Sequence, residues 1–373
     1  MYARPVIAGP VVVAATENNT VYAVDVATGH VRWRHHLAAP ARRSQLPCGN
    51  IDPSGITGTP AYDDTTHLVY VATEDRDARH TLVALDVGDG RIRWQRSLDV
   101  APGRDRHAEQ QRGALLVSQG RIYVPVGGRY GDCGNYVGYL VAVDVQGTRP
   151  TLHYEVPTAR EAGIWAAAGP VAGPGGDIYI ASGNGAEVGG RYDGSDSVIR
   201  LSPTLQRKAI FAPSSWRQDN AEDLDLGSMS PAPVDGKLVI AGKRGRVYLL
   251  GPSLGGVGGE LTALDGCAGY GGAAVSGATV VMPCDAGVRA LRVNGSRLRW
   301  QWRNADLHGS PAVGGDAAYG FDHGNLVEVS LTDGRVRGRL HVGDVTRFAA
   351  PAPAGRFVFV GTTEQLVAVA GAG

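Results

Sequence analysis

Apolar residues along this chain fall in short bursts separated by Gly, Pro, Asp and Asn, a pattern of strands and tight turns rather than of helices. Runs such as Leu238-Val239-Ile240 and Phe357-Val358-Phe359-Val360 are apolar without alternation, as expected of strands buried on both faces. The bursts repeat. Val21-Tyr22-Ala23-Val24-Asp25-Val26-Ala27-Thr28-Gly29-His30-Val31-Arg32-Trp33 is echoed by Leu82-Val83-Ala84-Leu85-Asp86-Val87-Gly88-Asp89-Gly90-Arg91-Ile92-Arg93-Trp94 and by Leu140 to Gly147, with weaker copies near Val198, Val247, Val288, Leu326 and Leu366. Each copy reads as a hairpin, and a second pair of strands lies upstream, as at Gly58 to Ala72.

A lone hairpin is marginal, so four-stranded units that stack on their neighbours are the expected solution. Units begin near Arg4, Gly58, Gly113, Ala167, Ser228, Gly272, Gly309 and Phe348. The fold class predicted is all-β: an eight-bladed β-propeller of four-stranded antiparallel blades, forming a single domain over residues 1–373. After Leu366 to Ala370 only Gly-Ala-Gly remains. The last blade therefore has three strands or is completed by an upstream segment outside this chain. Trp33, Trp94 and Trp300 are expected to fill wedges between blades.

With the strands of a blade lettered A to D, the A–B and C–D turns share one face of the ring. They are read as uniformly short, as at Gln119-Gly120 and Asp333-Gly334. The B–C loops and D–A connectors share the other face and hold the insertions 38–57, 100–112, 127–137, 157–165, 183–195 and 213–227. Binding concentrates on loops carried by a rigid scaffold, so the insertion-rich face is the functional one.

The abundance of Gly, 54 of 373 residues, fits the density of turns this scheme requires. Formal net charge is zero, with no basic run, and this argues against a nucleic-acid partner. No stretch has the length of a transmembrane segment. The apolar run from Pro5 to Ala15 is split by Gly9-Pro10 and reads as sheet, not as a signal segment. Cys48, Cys133, Cys267 and Cys284 have no zinc-site spacing and all fall on the insertion-rich face. Their placement predicts the disulfides Cys48–Cys133 and Cys267–Cys284, hence an exported protein, extracellular or in the cell envelope.

The template Ala23, Asp25, Thr28, Gly29, Trp33 resembles the tryptophan-docking repeat of quinoprotein propellers, the family that binds pyrroloquinoline quinone (PQQ) or shares its fold. In that family the quinone lies over a tryptophan, Ca²⁺ is held by carboxylate and amide oxygens, and an aspartate serves as base. The resemblance puts Trp165 at the stacking position and Asn184 at a metal-ligand position. Asp223 stands in the place of the catalytic base, Lys243 in that of a basic cofactor contact, and Asp132 near that of a metal-binding glutamate. The family's adjacent-cysteine pair is missing, and no haem-attachment Cys-x-x-Cys-His occurs.

Three readings follow. The first is a noncatalytic exported propeller that binds a small molecule or a partner on its loop-rich face, and the missing motifs favour it. The second is a PQQ- and Ca²⁺-dependent alcohol or sugar dehydrogenase. The third is a protein–protein interaction scaffold of the cell envelope, which calls for an exposed apolar patch.

Overall fold

The aspartate of the repeat ties its own hairpin. Asp25 Oδ1 accepts the backbone N–H groups of Ala27 and Thr28 at 3.0 and 2.9 Å, while Oδ2 pairs with Arg32 on the next strand. Asp86 repeats the device with the Gly88 N–H at 2.9 Å and Arg93 at 2.7 Å. The paired guanidinium first, and the turn N–H groups with it, hold both carboxyls below the usual range.

The computed structural model describes residues 1–100 and 103–371, so positions 101–102 of the insertion 100–112 lie outside the described residues. Hairpins of this kind assemble into eight antiparallel sheets, the blades of a propeller. Blade 1 has strands Val6–Ala8, Val11–Ala15, Thr20–Asp25 and Val31–His36, innermost to outermost. Blade 8 has three, Ala352–Ala354, Phe357–Gly361 and Leu366–Ala370. The ring closes where Phe359 of blade 8 packs with Val12 of blade 1 in one buried cluster.

Between blades the tryptophan of one outer strand docks on the next blade's turn glycine. Trp33 Nε1 donates to Val87 O at 2.8 Å, and its indole lies so close to Gly90 that a Cβ there would sit 2.6 Å from the ring. Trp94 docks in the same way on Gly147. In blade 6 the docking residue is Trp302, not Trp300. The docking tryptophan faces the repeat's alanine just before a bulge: Ala23 with Trp33, Ala84 with Trp94, Ala290 with Trp302. The blade 6 hairpin is longer: Trp302 follows its turn glycine, Gly295, by seven residues, where Trp33 and Trp94 follow theirs by four. Trp300 instead turns back to blade 5, donating to Asp265 O at 3.0 Å with the Arg289 guanidinium 4.0 Å above it.

Two connections differ from expectation. The C–D connection of blade 5 is not short. It runs between Arg246–Leu250 and Thr262–Asp265 and adds Gly256–Val257 as a parallel strand beside Arg207–Ala212 of blade 4. The insertion 213–227 contains a helix, Trp216–Glu222, closed by Asp223 in the left-handed conformation at φ +55°. Cys48 bonds to Cys133 and Cys267 to Cys284. Among the described residues no helix is long and apolar enough to cross a membrane.

Candidate functional site

The D–A connectors and B–C loops enclose a cavity of about 890 Å³ on the insertion-rich face. Blades from most of the ring contribute to its wall, and Asp132, Trp165, Asn184, Asp223 and Lys243 all line it.

The chain places these side chains by threading connectors between neighbouring loops. The connector before blade 4 runs between the B–C loops of blades 3 and 4, where Glu161 and Ala162 adopt φ of +72° and +51°. The Glu161 N–H donates to Tyr136 O at 2.8 Å and the Ala162 N–H to Asn184 O at 2.7 Å. That places Trp165 and Asn184 at the same wall. The Asn184 N–H in turn donates to Asp225 Oδ1 at 2.7 Å. Gly183 permits this approach, since a Cβ there would lie 2.4 Å from Asp225 Oδ1.

Asp225, which the sequence reading passed over, is the electrostatic centre of that wall. It is 2% exposed, and Lys243 Nζ lies 2.5 Å from its Oδ2, while Asp223, 67% exposed, takes the same ammonium at 2.7 Å. Burial pushes the Asp225 carboxyl up, and the Lys243 charge opposes the rise without cancelling it. Burial alone would lower Lys243, but the two carboxylates outweigh it and raise its pKa. Behind them lies Asp196, buried, its Oδ1 accepting the Leu226 N–H at 2.8 Å. Burial and the nearby Asp225 push its carboxyl well above the usual range.

The cavity also carries cationic side chains. The Arg112 guanidinium lies 4.8 Å from the centroid of the Trp165 ring, covering one face of the indole. Arg347 stacks on Tyr270 at 5.1 Å, and Arg4 also lines the wall. Among the described residues none of these three arginines forms an ion pair, and the buried Arg112 Nε has no partner. Burial lowers the Arg112 pKa. Five cationic and three anionic side chains line the cavity; one of the five, Arg129, is paired with the buried Glu74, which leaves an excess of one positive charge. A signal for the arginines was present in the chain: each stands at or just before the start of a repeat unit, at Arg4, Gly113 and Phe348.

Asp132 sits in the blade 3 loop beside the Cys48–Cys133 bond, and its Oδ1 accepts the Tyr136 hydroxyl at 2.5 Å. It is an exposed carboxylate at the rim, already engaged by a phenol.

Residues 2–197 match the model of the family described as outer membrane protein assembly factor BamB. The chain belongs to that family. A 214-residue stretch is 27% identical to a polyvinylalcohol dehydrogenase of Pseudomonas sp.. That match covers 49% of this chain and 30% of the enzyme, so the chain spans less than a third of that curated relative. The fold is shared with BamB from Moraxella catarrhalis, at TM-score 0.67 and 16% identity over 98% of this chain and 95% of that one. It is also shared with the quinohemoprotein alcohol dehydrogenase ADHIIG from Pseudomonas putida HK5, at TM-score 0.74 and 14% identity over 100% of this chain and 70% of that one. In this BamB-family propeller the two disulfides fit an oxidising compartment.

Proposed function

We propose that this protein is an exported, noncatalytic propeller that binds a small anionic molecule with a flat or apolar part in the cavity of its loop-rich face. The observation that carries the reading is the trio Arg4, Arg112 and Arg347, which line one cavity, form no ion pair among the described residues, and are interleaved with Trp165, Tyr270 and Phe348. Guanidinium groups free of a protein partner bind carboxylates with charge-assisted hydrogen bonds, and aromatic neighbours supply the apolar contact. Export accounts for both disulfides.

The dehydrogenase reading has the convergence of Asp132, Trp165, Asn184, Asp223 and Lys243 on one cavity in its favour. The donor set, however, does not fit a calcium centre. Ca²⁺ takes six to eight oxygen ligands, with carboxylates prominent among them. Asp223 and Asp225 already neutralise Lys243, and Asp132 is bonded to Tyr136. The quinone's place on Trp165 is covered by Arg112. The scaffold reading calls for a contiguous apolar patch, whereas the large exposed apolar side chains among the described residues are spread as single residues or pairs: Val31, Tyr130 and Val188 in blades 1, 3 and 4, Val257 with Leu261 in blade 5, and Val336 with Leu340 in blade 7.

Adding PQQ, a polycarboxylate, with and without Ca²⁺ separates the readings. The proposal expects a rise in melting temperature that does not need Ca²⁺ and no dye-linked oxidation of alcohols. Calcium-dependent turnover would establish the dehydrogenase. No shift with this or any other polycarboxylate would sink the anion-binding reading.

A further inference from the structure

A second cluster of chemistry lies away from the cavity, where blade 2 meets the connector to blade 3. His80 opens the strand His80–Asp86, Asp99 begins the connector, and Glu109 begins the short strand Glu109–Gln110 at its other end. One donor atom from each lies within 4.8 Å of the others. His80 and Glu109 are 1% and 2% exposed, and among the described residues the buried Glu109 Oε1 and His80 Nε2 have no hydrogen-bond partner.

Unpaired polar atoms this deeply buried are costly, and native structures rarely leave them so. Glu74, Asp99 and Glu109 bring three carboxylates, while the cations facing them are Arg129, paired with Glu74, and His80 if it is protonated. The other neighbours are neutral: Tyr139 donates to Glu109 Oε2 at 3.0 Å, Ser54 to Glu74 Oε2 at 2.6 Å, and Gln110 to Ser54 at 3.2 Å.

We propose that His80, Asp99 and Glu109 form a binding site for one divalent transition-metal ion of the zinc class. One imidazole nitrogen and two carboxylates are a zinc-type donor set. His80 Nδ1 faces Asp99 Oδ1 at 3.2 Å, while Nε2 lies 3.9 Å from Glu74 Oε2. With Nδ1 on the ion, the Nε2–H points at Glu74, and an outer carboxylate of this kind is the usual support of a metal-bound histidine. Ligand atoms around zinc lie about 3.4 Å apart, so the side chains close on the ion by about an ångström. The ion clamps both ends of the connector. Through Glu74 and Arg129, which lines the cavity, it also braces the cavity wall. Buried His80 and Glu109 each have a raised pKa: the Asp99 and Glu74 carboxylates lift His80 against burial, and burial lifts Glu109. Protons are thus the competing way to balance the cluster.

The test is titration of the chelator-stripped full chain with Co²⁺ and Zn²⁺, following Co²⁺ visible absorption and thermal stability. The proposal expects a single saturable ion per chain, a higher melting temperature, and no competition from Mg²⁺ at equal concentration. Asp99→Asn and Glu109→Gln should each weaken binding by about tenfold or more. Asp99 is partly exposed, so Asp99→Asn keeps the test valid if Glu109→Gln alters the fold. Failure of the wild-type chain to bind either ion would overturn the proposal and leave protons balancing the cluster. Binding that both substitutions leave unchanged would overturn it as well, since the ion would then sit elsewhere.

Discussion

At the residue scale, the Lys243 ammonium is what allows Asp225 to remain ionised inside the cavity wall. Removing one partner of a buried pair leaves the other charge uncompensated, at a cost of about 3 kcal/mol. Lys243→Met should therefore lower stability by about that much at neutral pH, as read by denaturant unfolding. The sign with pH follows from the direction of the shifts. In the variant Asp225 keeps a raised pKa without its opposing cation, so the folded state holds a proton that the unfolded chain has lost. The deficit should grow as pH rises above about 4, the unfolded carboxylate value, and disappear below it. In the wild-type chain Lys243 is raised, so its contribution is full below the unfolded lysine pKa of about 10.4 and fades as pH climbs through the folded value. Arg112 makes no comparable internal bond. Arg112→Ala should leave folding little changed while weakening binding of PQQ by about tenfold, the order of one charge-assisted hydrogen bond, in a calorimetric titration.

At the element scale, the blades are joined by tryptophans and disulfides whose contributions differ by position. Trp302 is 9% exposed and wedged on Gly334, whereas Trp300 is only partly buried, at the edge of the cluster between blades 5 and 6 and beneath Arg289. Trp302→Ala is expected to cost about 3 kcal/mol as a core truncation. Trp300→Ala should cost about 1 kcal/mol, the scale of an exposed cation–π contact. Equal losses in the two variants would remove the docking assignment. The disulfides close loops of separation 85 and 17, so chain entropy assigns about 4.6 kcal/mol to Cys48–Cys133 and about 3.1 kcal/mol to Cys267–Cys284. Serine replacement of each pair should reproduce that order in melting experiments. The strands, their fourfold grouping and the docking glycines were legible because strand period and turn chemistry are local. Trp302 was not, because its register depends on a bulge between Ala290 and Leu291 that only the paired strand reveals. The extended C–D connection of blade 5 departs from the short turns expected, because its glycines carry no signal of a partner strand in blade 4.

At the scale of the whole molecule, the ring gathers side chains that are far apart in the chain into one cavity. Trp165, Asn184, Asp223 and Lys243 were identified by resemblance and meet there, while Asp225, Arg4, Arg112 and Arg347 were missed. Their importance is a matter of burial and missing partners, properties of the closed ring that no short stretch of sequence carries. Because the cavity wall is built from connectors of many blades, a ligand held there stabilises the entire fold. Saturation at a hundred times the dissociation constant adds about 2.7 kcal/mol. The most direct measurement is thermal unfolding with PQQ, with and without Ca²⁺, run beside a dye-linked alcohol oxidation assay on the same sample. The arginine-lined cavity predicts an upward shift independent of Ca²⁺, reduced in Arg112→Ala, with no dye reduction. A shift that requires Ca²⁺ and comes with alcohol turnover would contradict it.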